Sequence, residues 1–182
     1  MQNYVITITR QFGSRGRDIG IATAKKLGIP LYDRNVLEKE AEEIDSTLHS
    51  LVEFSKNGMS SSGYYKMAYP LGIGSSLKKD RMFEVQSKLV LQHAETENCV
   101  IIGRCASSIL RDRKNVLSVF IYADEADRVA RIARRNGLDE RDARARMRKM
   151  DRMRKHYFDF YADTQWGDPE SYDVMLSSSH YG

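Results

Sequence analysis

Gly13, Gly16 and Gly20 fall within the stretch Arg10–Gly20, interleaved with Arg10, Arg15, Arg17 and Asp18. Glycines let the backbone turn with positive φ and come close to a bound group. A helix starting behind them points its free N–H groups and positive dipole end at an anion. Phosphate is the natural ligand of the Gly13-Ser14-Arg15-Gly16-Arg17-Asp18 segment. The plain alternative is a strand–helix turn without a ligand, and spacing alone does not separate the two. A Walker A loop reads GxxxxGK[ST], whereas here Gly16 is followed by Arg17 and Asp18. Arg17, permanently charged and bidentate, could replace the lysine. Asp18 repels phosphate unless Mg²⁺ intervenes or it holds Arg17; in a helix first turn it also suits the dipole.

Two further groups bear on the same chemistry. Gly103-Arg104 ends the apolar run Cys99-Val100-Ile101-Ile102, and the carboxyl end of a buried strand is where open parallel sheets bind ligands. Arg104 there binds either a substrate anion or an acidic partner in the cleft, the alternative being a surface salt bridge. Arg128, Arg131, Arg134, Arg135, Arg141, Arg144, Arg146, Arg148, Arg152 and Arg154 recur at spacings that align several on one helix face. Such a face is usually just solvated, but a helix supplying arginines is also what phosphoryl transfer requires for charge neutralisation.

The elements that must carry these groups alternate. Val5–Ile8 reads as a buried strand, Ile19, Ala22, Thr23, Ala24 and Leu27 as one helix face, and Gly28 as its stop. Ile29–Tyr32 is a second short strand. Asp33 then caps a helix that turns Val36, Leu37 and Ala41 inward. Periodicity weakens across 45–80, which reads as a flexible insert. A helix over Met82–Glu97, strands at Cys99–Gly103 and Val116–Ile121, a short helix at Ala106–Leu110, a charged helical region over Glu125–Tyr161 and a last strand at Tyr172–Leu176 follow. Uniformly apolar strands alternating with helices predict an α/β fold with a parallel sheet covered on both faces. No closing helix is expected after the last strand.

Composition bounds the function classes. Apolar residues are 41% and charged ones 30% of 182 residues, the profile of one globular domain over 1–182. Neither a basic leader nor a run near the ~20 apolar residues of a membrane span is visible, which predicts a cytoplasmic protein with no membrane partner. The net charge is +4, yet the sequence has no zinc finger, RNP-like motif or Lys-rich tail. Its clustered arginines therefore read as small-phosphate recognition rather than nucleic-acid binding. Cys99 and Cys105, without CxxC or a His cluster, read as two reduced structural thiols, and no metal ligand set is evident beyond Asp18.

The segment Ile6–Gly20, Tyr32-Asp33, Val100–Arg104, Asp151–Arg154 with Tyr157, and Tyr172-Asp173 together resemble the cytidylate kinase-like family across nearly the whole chain. The resemblance implies a P-loop NTPase fold of the nucleoside monophosphate kinase type, a three-layer sandwich with a five-stranded parallel sheet. It also implies an acceptor-binding insert at 45–80 and an arginine-rich lid at 137–161. It places Gly13, Ser14, Arg15, Gly16, Arg17 and Asp18 under the donor triphosphate, with Arg17 nearest the Walker lysine's role. Asp33, Lys39 and Arg104 fall to the acceptor, and Arg148, Arg152 and Arg154 to the lid, which Asp151 orients. Cys105 replaces an aspartate, and Asp173 matches an acidic residue of unassigned role. The implied cofactors are ATP and Mg²⁺, and the implied reaction is phosphoryl transfer to a nucleoside monophosphate such as CMP or to another small phosphorylated acceptor. The missing lysine leaves a catalytically weak nucleotide-binding regulatory module as the alternative. Neither reading fixes the oligomeric state.

Overall fold

The structure, a computed structural model, describes residues 3–45 and 76–181. Most of the insert expected at 45–80 lies outside the described residues. Five strands form one parallel sheet in the order β2-β3-β1-β4-β5: β1 Val5–Arg10, β2 Leu31–Tyr32, β3 Cys99–Ile102, β4 Val116–Tyr122 and β5 Val174–Ser177. All carboxyl ends therefore lie along one edge. β1 occupies the middle because its residues, and those of β3 beside it, can be buried on both faces. Val100, Ile101 and Ile102 are each wholly inaccessible, and each contributes ~1.5–3 kcal/mol by burial.

Side-chain alternation splits the core into two faces. Ile8, Val100, Ile102, Val119 and Ile121 pack on Ala24 of helix α1 (Gly16–Leu27). On the other face Val5, Cys99 and Ile101 pack on Leu37 and Ala41 of α2 (Arg34–Ile44), on Val85, Leu89, Val90 and Ala94 of α3 (Ser76–Thr96), and on Ala106 of α4 (Ala106–Ile109). Helices α5 (Glu125–Asn136) and α6 (Glu140–Tyr161) pair through Val129, Ile132, Ala143 and Met147, with Phe12 against them. The charged region expected as one stretch over Glu125–Tyr161 is thus two helices. Gly137, at φ +63°, ends the first, and the side chain of Asp139 caps the second by accepting from the Asp142 amide at 2.8 Å.

Helix α1 corrects one expectation. Its inward face is Gly16, Gly20 and Ala24, while Ala22 and Leu27 are exposed. Small residues at i, i+4 and i+8 let the helix lie against the sheet at close range: a Cβ on Gly20 would sit 2.7 Å from Ile102 Cδ1. Cys99 and Cys105 are free and buried, and burial pushes both thiols up to about 12, so they remain protonated. Asp173 is structural: its carboxylate accepts from the Ser118 amide and hydroxyl at 2.7 Å each, tying the entry of β5 to β4. Among the described residues no helix is long and apolar enough to cross a membrane.

Candidate phosphate-binding site

The chain leaves β1 through α1 on one sheet face and leaves β3 through α4 on the other. Adjacent strands departing to opposite faces open a crevice at their carboxyl ends, which is where open α/β sheets place ligands. The first wall is the glycine loop. Gly13 adopts φ +83° beneath α5, where a Cβ would meet Ile132 Cδ1 at 3.0 Å and the Arg128 carbonyl at 3.1 Å. Ser14 is fully buried, its hydroxyl donating to the Gln11 carbonyl at 2.9 Å. Arg15 takes the left-handed conformation at φ 61°, and α1 begins at Gly16 with no side-chain cap on its amino end. Its first amides are thus left for a ligand or water. Asp18 is exposed on that first turn.

Across the crevice, Arg17 donates to Asp33 Oδ2 from Nε at 3.0 Å and from Nη2 at 2.7 Å. The other oxygen of Asp33 caps α2 by accepting from the Asn35 and Val36 amides at 2.9 and 3.3 Å. Burial opposes the charge on Asp33, but Arg17 and these amides overcome it and hold its pKa below the usual carboxylate range. Deeper in, Glu38 Oε1 accepts from Arg34 Nε at 2.9 Å and from Arg104 Nη2 at 2.6 Å. Both partners of the latter pair are nearly inaccessible, at 5% and 8%. Arg104, at φ 59°, follows Gly103 in a strained turn, and its Nε is buried without a hydrogen-bond partner among the described residues. Tyr157 packs beside it, its hydroxyl pushed up to about 12 by burial.

The third wall is α6. Asp151 accepts from the Phe12 amide at 2.7 Å and pairs with Arg128, whose Nε donates to the Phe12 carbonyl at 2.9 Å. Burial pushes the Asp151 carboxyl up, more than the Phe12 amide and Arg128 bring it down. Arg154 donates to the Arg10 carbonyl at 3.0 Å and lies 5.4 Å over the Phe12 ring. Burial lowers Arg154 to about 10, and burial followed by repulsion from Arg154 and Arg104 holds Arg10 well below the ordinary arginine range. Both guanidiniums stay charged at neutral pH, so these shifts register crowding of like charge.

Of the residues expected from sequence, the structure gathers Gly13, Ser14, Gly16, Asp33, Arg104 and Arg154 around this crevice, with Arg17 turned to Asp33 rather than lying along the loop. Lys39 stands apart: its side chain is 77% exposed and pairs with Glu43 at 3.8 Å. The reason is helical phase. Positions 34, 37, 38 and 41 share the inward face of α2, so Arg34 is the basic residue that enters the cluster. Phase also separates the lid arginines. Met147, Met150, Arg154 and Phe158 line the inward side of α6, whereas Arg148 is 62% exposed beside Glu125 at 3.4 Å and Arg152 points to solvent. Sequence reasoning missed Glu38, whose signal was its i+4 spacing from Arg34, and the inward role of Arg34. Among the described residues no cluster of three His, Cys, Asp or Glu could cage a metal.

Comparison with known proteins fits this geometry. A crystal structure of an uncharacterized protein from Eubacterium ventriosum ATCC 27560 superposes with a TM-score of 0.75 at 29% identity, over 98% of this chain and 89% of that one. Shikimate kinase from Bacteroides thetaiotaomicron matches with a TM-score of 0.54 at 15% identity, over 96% and 86% of the two chains. A gluconokinase from Sinorhizobium meliloti 1021 gives 0.52 at 11%, over 97% and 82%. The fold is therefore that of the P-loop kinases. The family described as Cytidylate kinase-like matches residues 5–180, and the chain belongs to it. Cytidylate kinase of Methanoculleus marisnigri (strain ATCC 35101 / DSM 1498 / JR1) is 31% identical over 103 residues, 57% of this chain and 55% of that protein. The chain thus spans about half the length of this curated relative.

Proposed function

We propose that the chain transfers the γ-phosphoryl group of ATP to a nucleoside monophosphate, CMP being the first candidate, or to another small phosphorylated acceptor. The observation that carries this reading is the crevice itself, with a glycine loop and a helix amino end that has no side-chain cap on one side, and the buried Arg104 with the half-buried Arg34 on the other. The loop amides and the start of α1 receive the donor phosphates. Arg104, with Arg34 beside it, receives the acceptor phosphate. No general base is required, because the acceptor oxygen is already anionic, and positioning with charge neutralisation supplies the rate. Mg²⁺, when bound, would supply neutralisation of the charge on the donor phosphates. Asp18, exposed on the first turn of α1, is the carboxylate of the loop that would help to hold it.

An ADP-coupled assay with ATP, Mg²⁺ and a panel of monophosphates tests the reading. Turnover is expected with at least one acceptor, falling ~10²-fold or more in Arg104→Met. The absence of Lys and Ser/Thr after Gly16 favours a second reading, a nucleotide-binding regulatory module. Saturable ATP binding by calorimetry with no turnover on any monophosphate would sink the first reading and support the second.

A further inference from the structure

The last residue of β1 carries a cation that neither the loop nor the lid accounts for. Side chains of Ile6 and Ile8 point to the α1 face, so Arg10, two residues on, points the same way, under the start of α1. Its path is cut by two glycines. A Cβ on Gly16 would lie 2.5 Å from Arg10 Cβ and 3.0 Å from its Cγ, and a Cβ on Gly103 would lie 2.2 Å from Arg10 Nη1. The stem therefore crosses the first residue of α1, and the guanidinium ends against the turn that precedes Arg104. Any side chain at either glycine would evict it.

That guanidinium has neither an ion-pair nor a hydrogen-bond partner among the described residues; the bond made at Arg10 is to its carbonyl, from Arg154. Its charged surroundings are Arg154, Arg104 and Arg17, with Asp33 the acidic group in reach and itself held by Arg17. A half-buried cation ringed by cations is costly unless an anion joins it. Its place, between the donor loop and Arg104, is where a group passing from donor to acceptor would travel.

We propose that Arg10 is a catalytic residue of this site, gripping the transferring phosphoryl group from the end of β1, as lysine does from the start of the helix in a GxxxxGK[ST] loop. The exchange is reciprocal: the position that opens the helix is a glycine, and the space its side chain would need holds Arg10. Arg17 is then a positioning residue that fixes Asp33 and the start of α2. The proposal rests on the phosphotransfer reading for the identity of the anion, but its binding part stands without turnover.

The test compares wild type, Arg10→Met, Arg10→Lys and the double variant Arg10→Gly/Gly16→Lys, glycine at position 10 removing the Cβ that would otherwise meet the new side chain at 2.5 Å. Met keeps the apolar stem without the charge, so thermal unfolding without ligand should be unchanged or shifted upward. Calorimetric affinity for ATP and for inorganic tripolyphosphate should fall at least ~10-fold, and kcat ~10²–10³-fold, with little change in acceptor KM. Arg10→Lys should recover part of the loss. The double variant, in which the vacated space admits a lysine from the helix start, should recover more than Arg10→Met retains. Wild-type kcat and triphosphate affinity in Arg10→Met would overturn the proposal while leaving the phosphotransfer reading intact. Arg10-dependent tripolyphosphate binding without turnover on any acceptor would do the reverse. A wild type that binds neither ATP nor tripolyphosphate would overturn both.

Discussion

The two sides of the crevice carry arginines in opposite states. On the β2–α2 side the cations meet carboxylates: the half-exposed Arg17 on Asp33, and Arg34 with Arg104 on a single oxygen of Glu38. At the end of β1, Arg10 has no such partner among the described residues, and Arg154 leans on a backbone carbonyl and an aromatic ring. A pre-neutralised cluster holds its geometry in the absence of ligand, and an incoming phosphate need only share its guanidiniums. An arginine with no ion-pair partner among the described residues, and with Arg154, Arg104 and Arg17 around it, feels repulsion that an anion releases. The difference separates a side built for shape from a side built for charge.

The largest effect should come from making the first side resemble the second. Glu38→Gln removes the carboxylate that faces the buried Arg104 and also holds the half-buried Arg34, and breaking such a buried pair costs ~3–5 kcal/mol. Urea unfolding should show that loss, and added phosphate should restore part of it, because the anion replaces the missing carboxylate. Restoration by phosphate no greater than in wild type would dissolve the contrast between the two sides.

A moderate effect is expected from acid. Asp33 has its folded pKa depressed below the unfolded value of about 3.9. Its stabilisation is therefore fully present above that value and is lost as pH falls through the lower folded pKa. Asp33→Asn, which keeps a capping side chain but not the charge, should be less stable than wild type at neutral pH. The gap should close below about pH 4. A constant gap from pH 7 to pH 2 would mean that the Arg17 contact carries no ionic stabilisation.

The smallest effect marks the edge of the site. Lys39→Ala on the outward face of α2 should change stability by no more than ~0.5 kcal/mol and leave acceptor KM near wild type. A large rise in KM would show that helical phase misassigns the acceptor's basic partner and that Arg34 is not it.

What the sequence made legible follows from how local each signal is. The five strands were readable because their apolar runs are continuous, and the start of α2 because Asp33 caps it from two residues away. The glycine loop was readable as an anion site because Gly13 and Gly16 lie beside a helix start. The identity of each arginine's partner was not, since the pairing of Arg17 with Asp33 spans 16 residues and that of Arg104 with Glu38 spans 66. Helical phase sorts the inward arginines of α2 and α6 from the outward ones, but only once the buried face of each helix is known. The inward face of α1 escaped notice because glycine carries no hydropathy signal, and the trough for Arg10 escaped with it.

Asp151 ties three things together: it sits on α6, accepts from the Phe12 amide of the loop and pairs with Arg128 of α5. Phe158, one and a half turns beyond the same helix's Met153, is rooted in the sheet-facing core beside Phe120 and Tyr172. The helix is therefore a beam clamped at its centre and far end rather than a flap. Ahead of Asp151 the helix is packed on α5 through Ala143 and Met147, with Arg144 paired to Glu125, so any swing over a bound ligand would have to carry α5 with it while the loop underneath stays fixed to the clamp.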